Sequence, residues 1–360
     1  MKIAELLQTR SPLELDAKDW ENLFGGLQPS FRVRQVQNGL YKSYVSPWEN
    51  LTIPRTLRET FKELFYLSSD HAKVTLSDNG DTLKALLTLS DQRQIETVLM
   101  RYERRSTVCI STQVGCAMNC VFCATGQGGY ERHLKVHEMQ EQYFWAAREL
   151  KRLDSNSKIT NVVLMGMGEP LANYDNSISF VRSLMTQFSL GARSITLSTV
   201  GVVPGIVKLA DESLQINLAV SLHAPNDELR TQIVPINRRY GIASLVEALN
   251  IYKSRTNRRI TLEYALINDL NDHDEHMTQL ADIALNLKAH VNLIPLNPTP
   301  KYDFRGSPPQ RVNKCKTLLQ DNGVQVTIRD TRGSDIAAAC GQLVANNVNF
   351  PKRKRNASLV

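Results

Sequence analysis

The chain has 360 residues, 42% of them hydrophobic, enough for one large core or two domains. No apolar run reaches the roughly 18 residues of a membrane span, and Met1-Lys-Ile-Ala-Glu-Leu-Leu lacks the apolar stretch of a secretory signal, so no membrane partner is expected and the chain reads as cytoplasmic. Lys and Arg number 43 against 36 Asp and Glu, a net charge of +7, with four positive charges in one tail, Lys352–Arg355; this suits a nucleic-acid partner, and equally a solvated tail that binds nothing.

Residues 1–70 read as a small helical unit. Leu13–Leu23 is amphipathic, Gly25-Gly-Leu-Gln-Pro29 is a turn, and Phe31–Tyr44 carries Val33, Val36, Leu40 and Tyr41 at helical spacing. Two helices around a turn suit a nucleic-acid-binding module or any small helical domain. Residues 71–101 read as a β connector: Lys73–Leu76, Thr82–Leu89 and Ile95–Met100 alternate or run apolar, with Asp78-Asn-Gly80 as a hairpin turn.

From residue 102 to 335 strands and helices alternate. Strands are expected at Thr107–Ser111, Ile159–Met165, Ser194–Ser198, Ile216–Leu222, Ile260–Leu266, Val291–Leu296 and Val324–Arg329. Helices are expected at His137–Leu153, Asn176–Gln187, Ile242–Lys253, Met277–Leu287 and Gln310–Asp321. Repeated βα units imply a parallel sheet with helices outside. The count exceeds a small doubly wound sheet and falls short of eight, so the expected fold is α/β, a partial (β/α)6 barrel. Residues 336–360 remain as a cysteine loop and the basic tail.

Active groups of such a barrel gather at the C-terminal ends of its strands. After the first strand come Cys116, Cys120 and Cys123, three thiols within eight residues spaced C-x3-C-x2-C. Thiolates select zinc, Cu(I) or iron–sulfur clusters. Structural zinc wants four ligands, often as two pairs, and here there is no second pair. Three thiolates on a cubane cluster leave one iron open to chelate a ligand. A zinc site borrowing a His, or three unrelated thiols, is the plain alternative. With Phe122 before the last Cys, the spacing resembles the radical S-adenosylmethionine (SAM) signature.

Later strand ends add Gly168-Glu169-Pro170, Ser198, Ser221-Leu222-His223 and Asn297. Glu169 could hold the ammonium or ribose of SAM, or be an acid in an ordinary turn. The serines and Asn297 could bind a ligand or cap strand ends, and His223 could act in proton transfer or be structural. Of the remaining thiols, Cys315 lies on an apolar helix face. Cys109 lies in the first strand and reads as a buried small hydrophobe or a used thiol. Cys340, among small residues beside Gly341, reads as accessible unless it too is buried. Glu96, in an apolar strand, is either a base of raised pKa or a solvent-facing acid.

Taken together, the chain resembles the radical SAM RNA adenine methyltransferases of the RlmN/Cfr type, the RlmN branch more closely. The resemblance rests on Ile95-Glu-Thr-Val98, Cys109–Cys116, Phe122–Gly126, Gly166–Leu171, Leu197–Pro204, Ser221–Asn226, Val234–Asn237 and Cys340–Leu343. It implies a [4Fe-4S] cluster on Cys116, Cys120 and Cys123, and SAM contacts from Gly168, Glu169, Ser198, Ser221, Leu222, His223 and Asn297. It implies that Cys340 is methylated by one SAM and becomes a methylene donor. Cys109 then resolves the RNA-linked intermediate as a disulfide with Cys340, and Glu96 accepts the proton. The implied substrates are an adenosine of 23S rRNA at the peptidyl transferase centre and the adenosine 3′ to the anticodon in some tRNAs, methylated at C2. The N-terminal helices are expected to help grip RNA, an external carrier such as flavodoxin or ferredoxin to supply electrons, and the chain to act as a monomer. C8 methylation and a non-catalytic iron–sulfur RNA-binding protein are the rival readings.

The chemistry agrees with this scheme. Adenine C2 is an electron-poor sp2 carbon without a nucleophilic lone pair, so direct methyl transfer from a sulfonium is unfavourable and radical addition is not. A base must then remove the C2 proton, and a second thiol must release the sulfur. The target base must also leave its stack to reach the pocket.

Overall fold

The strand-rich middle of the chain forms one ten-stranded sheet in the computed structural model, which describes residues 10–24, 31–299 and 303–344. The Gly25–Pro29 turn and the Lys352–Arg355 tail lie outside the described residues. The first four strands are β1 (Lys73–Leu76), β2 (Thr82–Thr88), β3 (Gln94–Arg101) and β4 (Ser106–Cys109), and they pair antiparallel in that order. A separate hairpin joins β5 (Gln113–Gly115) to β6 (Tyr130–His133). Then β7 (Asn161–Leu164), β8 (Ile195–Thr199), β9 (Asn217–Ser221), β10 (Ile260–Leu266), β11 (His290–Pro295) and β12 (Val326–Ile328) extend the sheet from β4, all parallel.

The helices are α1 (Ala17–Phe24), α2 (Phe31–Asn38), α3 (Arg55–Leu64), α4 (Ala124–Gly128), α5 (Val136–Leu153), α6 (Tyr174–Thr186), α7 (Val203–Ala210), α8 (Asp227–Ile233), α9 (Ile242–Thr256), α10 (Asp274–Leu287) and α11 (Pro309–Asp321). Six crossovers therefore join the parallel strands, as the partial barrel requires. The sheet does not close: β12 pairs only with β11, and the far side of β4 is taken by β3. The β-rich stretch expected as a connector thus continues the main sheet, because β3 docks on β4 with Val98 opposite Cys109.

Parallel strands covered on both faces need apolar side chains throughout, and Val162, Leu164, Ile195, Leu197, Leu218, Val220, Leu262 and Leu293 are all buried. Helix α5 has two apolar sides. Tyr143 and Trp145 join the sheet core, while Phe144 joins a second cluster of Trp20, Val36, Leu40, Phe61 and Phe65 from the N-terminal helices. Polar links cross that seam as well: Glu141 accepts from the Ser68 N–H at 2.7 Å and from the Ser68 hydroxyl, and Arg148 donates to Asp70 at 2.6 Å.

Two N-terminal expectations need correction. The Leu13–Leu23 run is broken, because Asp16 caps α1 by accepting the Asp19 N–H at 2.8 Å, leaving Pro12–Glu14 as a separate short turn. The Phe31–Tyr44 helix ends at Asn38 and widens into a π turn over Gly39–Ser43. There the Asn50 amide reaches in to donate to the Gln35 carbonyl at 3.1 Å.

Candidate active site

The thiol loop is built by the β5–β6 hairpin, which the sequence reading passed over. Gly115 sits at φ +75°, and a Cβ there would fall 2.0 Å from the Gly129 carbonyl. Only glycine permits that approach, which lets the Cys116 N–H donate to Gly129 O at 2.7 Å. Cys123 opens α4, and the Cys123 N–H donates to Cys120 O at 3.2 Å, closing the loop. Burial pushes the Cys116 thiol up to about 12 and Cys120 well above its ordinary value; Cys123 adds to both, and Cys116 adds to Cys120.

Cys116, Cys120 and Cys123 line one open cavity with Cys109, Gly168, Glu169, Ser198, Ser221, His223, Asn297 and Cys340. All but two of the expected site residues therefore meet in one place. Leu222 does not line it: its side chain is buried in the sheet core, and its N–H donates to Glu263 O at 3.0 Å. Nor does Glu96 line it, although the structure settles which way it faces, since it is 3% exposed. Its carboxylate meets Lys84 Nζ at 2.9 Å and accepts the Val344 N–H at 2.8 Å. Burial raises its pKa, and Lys84 and Val344 pull it back.

Glu169 is held from several sides. Its carboxylate accepts from the N–H of Leu171 at 3.0 Å and of Val200 at 2.8 Å, and its own N–H donates to Gln113 Oε1 at 2.8 Å. Burial still pushes it up to about 7, against those donors. His223 adopts φ +59°, and its Nδ1 accepts the Ala265 N–H at 3.0 Å. That fixes the neutral tautomer with hydrogen on Nε2. Burial, then Arg230, drives it down to about 3, so it is a neutral hydrogen-bonding group and not a general acid near neutral pH. Its ring packs edge-on against Phe122 at 4.7 Å.

The Cys340 segment is clamped while its thiol is exposed. Asn297 Nδ2 donates to Cys340 O at 3.2 Å, the Ala124 N–H donates to Gly341 O at 2.7 Å, and the Thr125 hydroxyl donates to Leu343 O at 2.6 Å. Asn297 thus reaches the cysteine loop through its amide. Cys109 lines the same cavity, where burial, then Cys340, pushes it up to about 12 while Arg329 opposes. All six cysteines are free thiols here, so no Cys109–Cys340 disulfide is formed.

Arg329 was missed. It lines the cavity at the end of the seventh expected strand, where the strand-end rule should have flagged it. Its guanidinium lies 3.5 Å from Glu263, and Cys340 followed by Glu263 and Cys109 raise its pKa. Glu263 was missed too. Its Oε2, buried on the cavity lining, makes no hydrogen bond and has the Arg329 guanidinium at 3.5 Å as its partner. The three soft thiols that line the cavity fit an iron–sulfur centre. Among the described residues, no three His, Cys, Asp or Glu side chains are grouped so as to hold a single ion.

The radical SAM superfamily matches residues 110–281. The chain is similar to the probable dual-specificity RNA methyltransferase RlmN of Dictyoglomus thermophilum, 45% identical over 90% of this chain and 93% of that protein. The one from Bacillus anthracis is 42% identical over 94% and 95%. A crystal structure of a radical SAM methyltransferase from Sphaerobacter thermophilus matches with TM-score 0.86 and 42% identity, covering 93% of this chain and 99% of that one.

Proposed function

The chain belongs to the RlmN family of radical SAM methyltransferases, and on that premise we propose that it methylates C2 of an adenosine in 23S rRNA and of the adenosine 3′ to the anticodon in some tRNAs. The observation that carries this reading is the meeting of two chemically different thiol sets on one cavity: Cys116, Cys120 and Cys123 in one loop, and Cys340 with Cys109. An electron carrier would need the first set and not the second.

Cys116, Cys120 and Cys123 would hold a [4Fe-4S] cluster. Gly168, Glu169, Ser198, Ser221, the Leu222 backbone, His223 and Asn297 would surround SAM. A cluster held there would supply the one-electron reduction of SAM on which radical hydrogen abstraction depends. Cys340, exposed on its clamped segment, accepts a methyl group from a first SAM as a thiolate and carries it toward the base. Arg329, beside both thiols, holds positive charge where a thiolate must form. Once the base–Cys340 adduct has given up one electron and its C2 proton, Cys109 as a thiolate would attack the Cys340 sulfur; the S–S bond forms as the bond from that sulfur to the transferred carbon breaks, and that carbon takes up a proton to become the methyl group. Glu96 takes the C2 proton once the Val344 N–H lets go of its carboxylate. No helix among the described residues is long and apolar enough to cross a membrane; we place the chain in the cytoplasm, as a monomer reduced by a flavodoxin or ferredoxin.

The test is anaerobic reconstitution with iron and sulfide, followed by SAM, a reductant and an rRNA fragment. The expected product is 2-methyladenosine with 5′-deoxyadenosine. The C8 isomer in the nucleoside chromatogram would reassign the position, and no 5′-deoxyadenosine from cluster-loaded protein would overturn the reading.

A further inference from the structure

The motifs Ser221–Asn226 and Val234–Asn237 flank α8, and Arg230 in that helix joins them. Arg230 is 0% exposed. Its Nε donates to Leu222 O at 3.1 Å, its Nη1 to Asn237 Oδ1 at 2.8 Å, and its Nη2 to Val200 O at 2.6 Å and Ser221 O at 3.4 Å. Every acceptor is neutral. Among the described residues no carboxylate pairs with it directly; Asp227 stands one step away, its Oδ1 accepting from Asn237 Nδ2 at 2.9 Å and from the Ile242 N–H at 2.8 Å. A buried charge is costly unless something nearby balances it.

Burial lowers the Arg230 pKa to about 10, still cationic at neutral pH, while Cys120 and then Asp227 favour the charged guanidinium. The Cys120 turn is fastened to the end of α8 by the Val121 N–H, which donates to Ile233 O at 3.2 Å. Behind that turn Phe122, Val200, Leu229, Ile233 and Val234 form their own apolar cluster. The medium between guanidinium and sulfur is thus poor in water, where charges act strongly. Arg230 also holds Val200 by its carbonyl while the Val200 N–H holds Glu169.

We propose that Arg230 is a positioning residue that supplies the fixed positive charge of the three-thiolate centre and raises the reduction potential of the iron–sulfur cluster held there. This rests on the cluster assignment above. Three thiolates on a [4Fe-4S]2+ core leave a net charge of about 2 − 3 = −1, which becomes more negative when a low-potential donor adds one electron. A neighbouring cation favours the reduced form, and net charge is one of the levers on cluster potential. The two flanking motifs then have a physical role: they are the acceptors that keep this cation in place.

The experiment is a reductive titration, followed by electron paramagnetic resonance, of anaerobically reconstituted wild type, Arg230→Gln, Arg230→Lys and Asp227→Asn, with iron content measured alongside. Arg230→Gln should shift the midpoint down and Arg230→Lys should restore most of it. Asp227→Asn, which removes the competing negative charge and keeps an acceptor, should shift it up. Opposite signs in the two neutralising variants are what a charge effect predicts and a merely structural role does not. If Arg230→Gln fails to fold or to hold iron, the Asp227→Asn shift decides alone. Unchanged midpoints in all variants would overturn the role of Arg230, whereas wild type that never holds a reducible cluster would contradict the cluster assignment itself.

Discussion

Two cysteine-bearing loops line one cavity, and they are built to different specifications. The Cys116–Cys123 loop hides Cys116 and is closed on itself by backbone hydrogen bonds, through Gly115, Gly129 and α4. The Cys340 segment does the reverse: its neighbours Ala338, Ala339, Gln342 and Leu343 are buried and its thiol is exposed. Ala337 at φ +51° and Gly341 at φ +82° bend the chain on either side of it. A loop that must keep a resident group is closed on itself by backbone hydrogen bonds. A loop whose sulfur must visit substrate is clamped at its flanks and free at its tip.

The largest expected effect separates the two by what each loses. Cys120→Ala should cost both bound iron and product, each reduced at least tenfold, because three thiolates are the minimum donor set left by this cavity. Cys340→Ala should keep its iron and its absorbance yet form no methylated base. Equal iron loss in both variants would erase the contrast. Next in size is Gly341→Ala. A side chain at this φ costs roughly 1 kcal/mol or more, so Cys340 methylation should slow several-fold with iron content unchanged; wild-type kinetics would show that the bend is dispensable.

Thr125→Val removes the hydroxyl that ties α4, beside the first loop, to the second at Leu343. About 1 kcal/mol is at stake, and faster hydrogen exchange over residues 338–344 is the expected readout. Unaltered exchange there would mean the two loops are anchored independently. The smallest effect lies outside both loops. Burial pushes Glu141 up to about 7, against the Ser11 and Ser68 hydrogen bonds. A carboxyl raised above its unfolded value near 4.3 stabilises most below that value, and the contribution fades as pH rises through about 7. Glu141→Gln should therefore gain thermal stability relative to wild type between about pH 4.5 and 7, with the loops' chemistry untouched. A pH-independent difference would contradict a charged Glu141 at the seam.

The sequence carried the parallel sheet and the cysteine wall well, because both are local patterns: apolar runs at strand length and three thiols at fixed spacing. Strand-end logic then placed Glu169, Ser198, Ser221, His223 and Asn297 on one rim. Other features were illegible for a physical reason. The clamps on Cys340 come from Asn297, Ala124 and Thr125, up to 218 residues away in sequence, and no local pattern encodes such bonds. Glu96 could not be oriented until β3 was seen on β4 and Val344 over its carboxylate. Arg230 sits in plain view between two motifs, yet only its complete burial shows that its charge needs a partner. The N-terminal helices misled because capping by Asp16 and the intrusion of Asn50 override the apolar period.

The chemistry turns on Cys340 carrying the methyl group. Protein loaded with cluster would be incubated with methyl-labelled SAM, freed of it, and then supplied with unlabelled SAM, reductant and the rRNA fragment, with Cys340 and the RNA analysed before and after. The label should sit on Cys340 first and appear afterwards at adenine C2. Label reaching the RNA only when the labelled SAM is still present, with Cys340 never labelled, would contradict it.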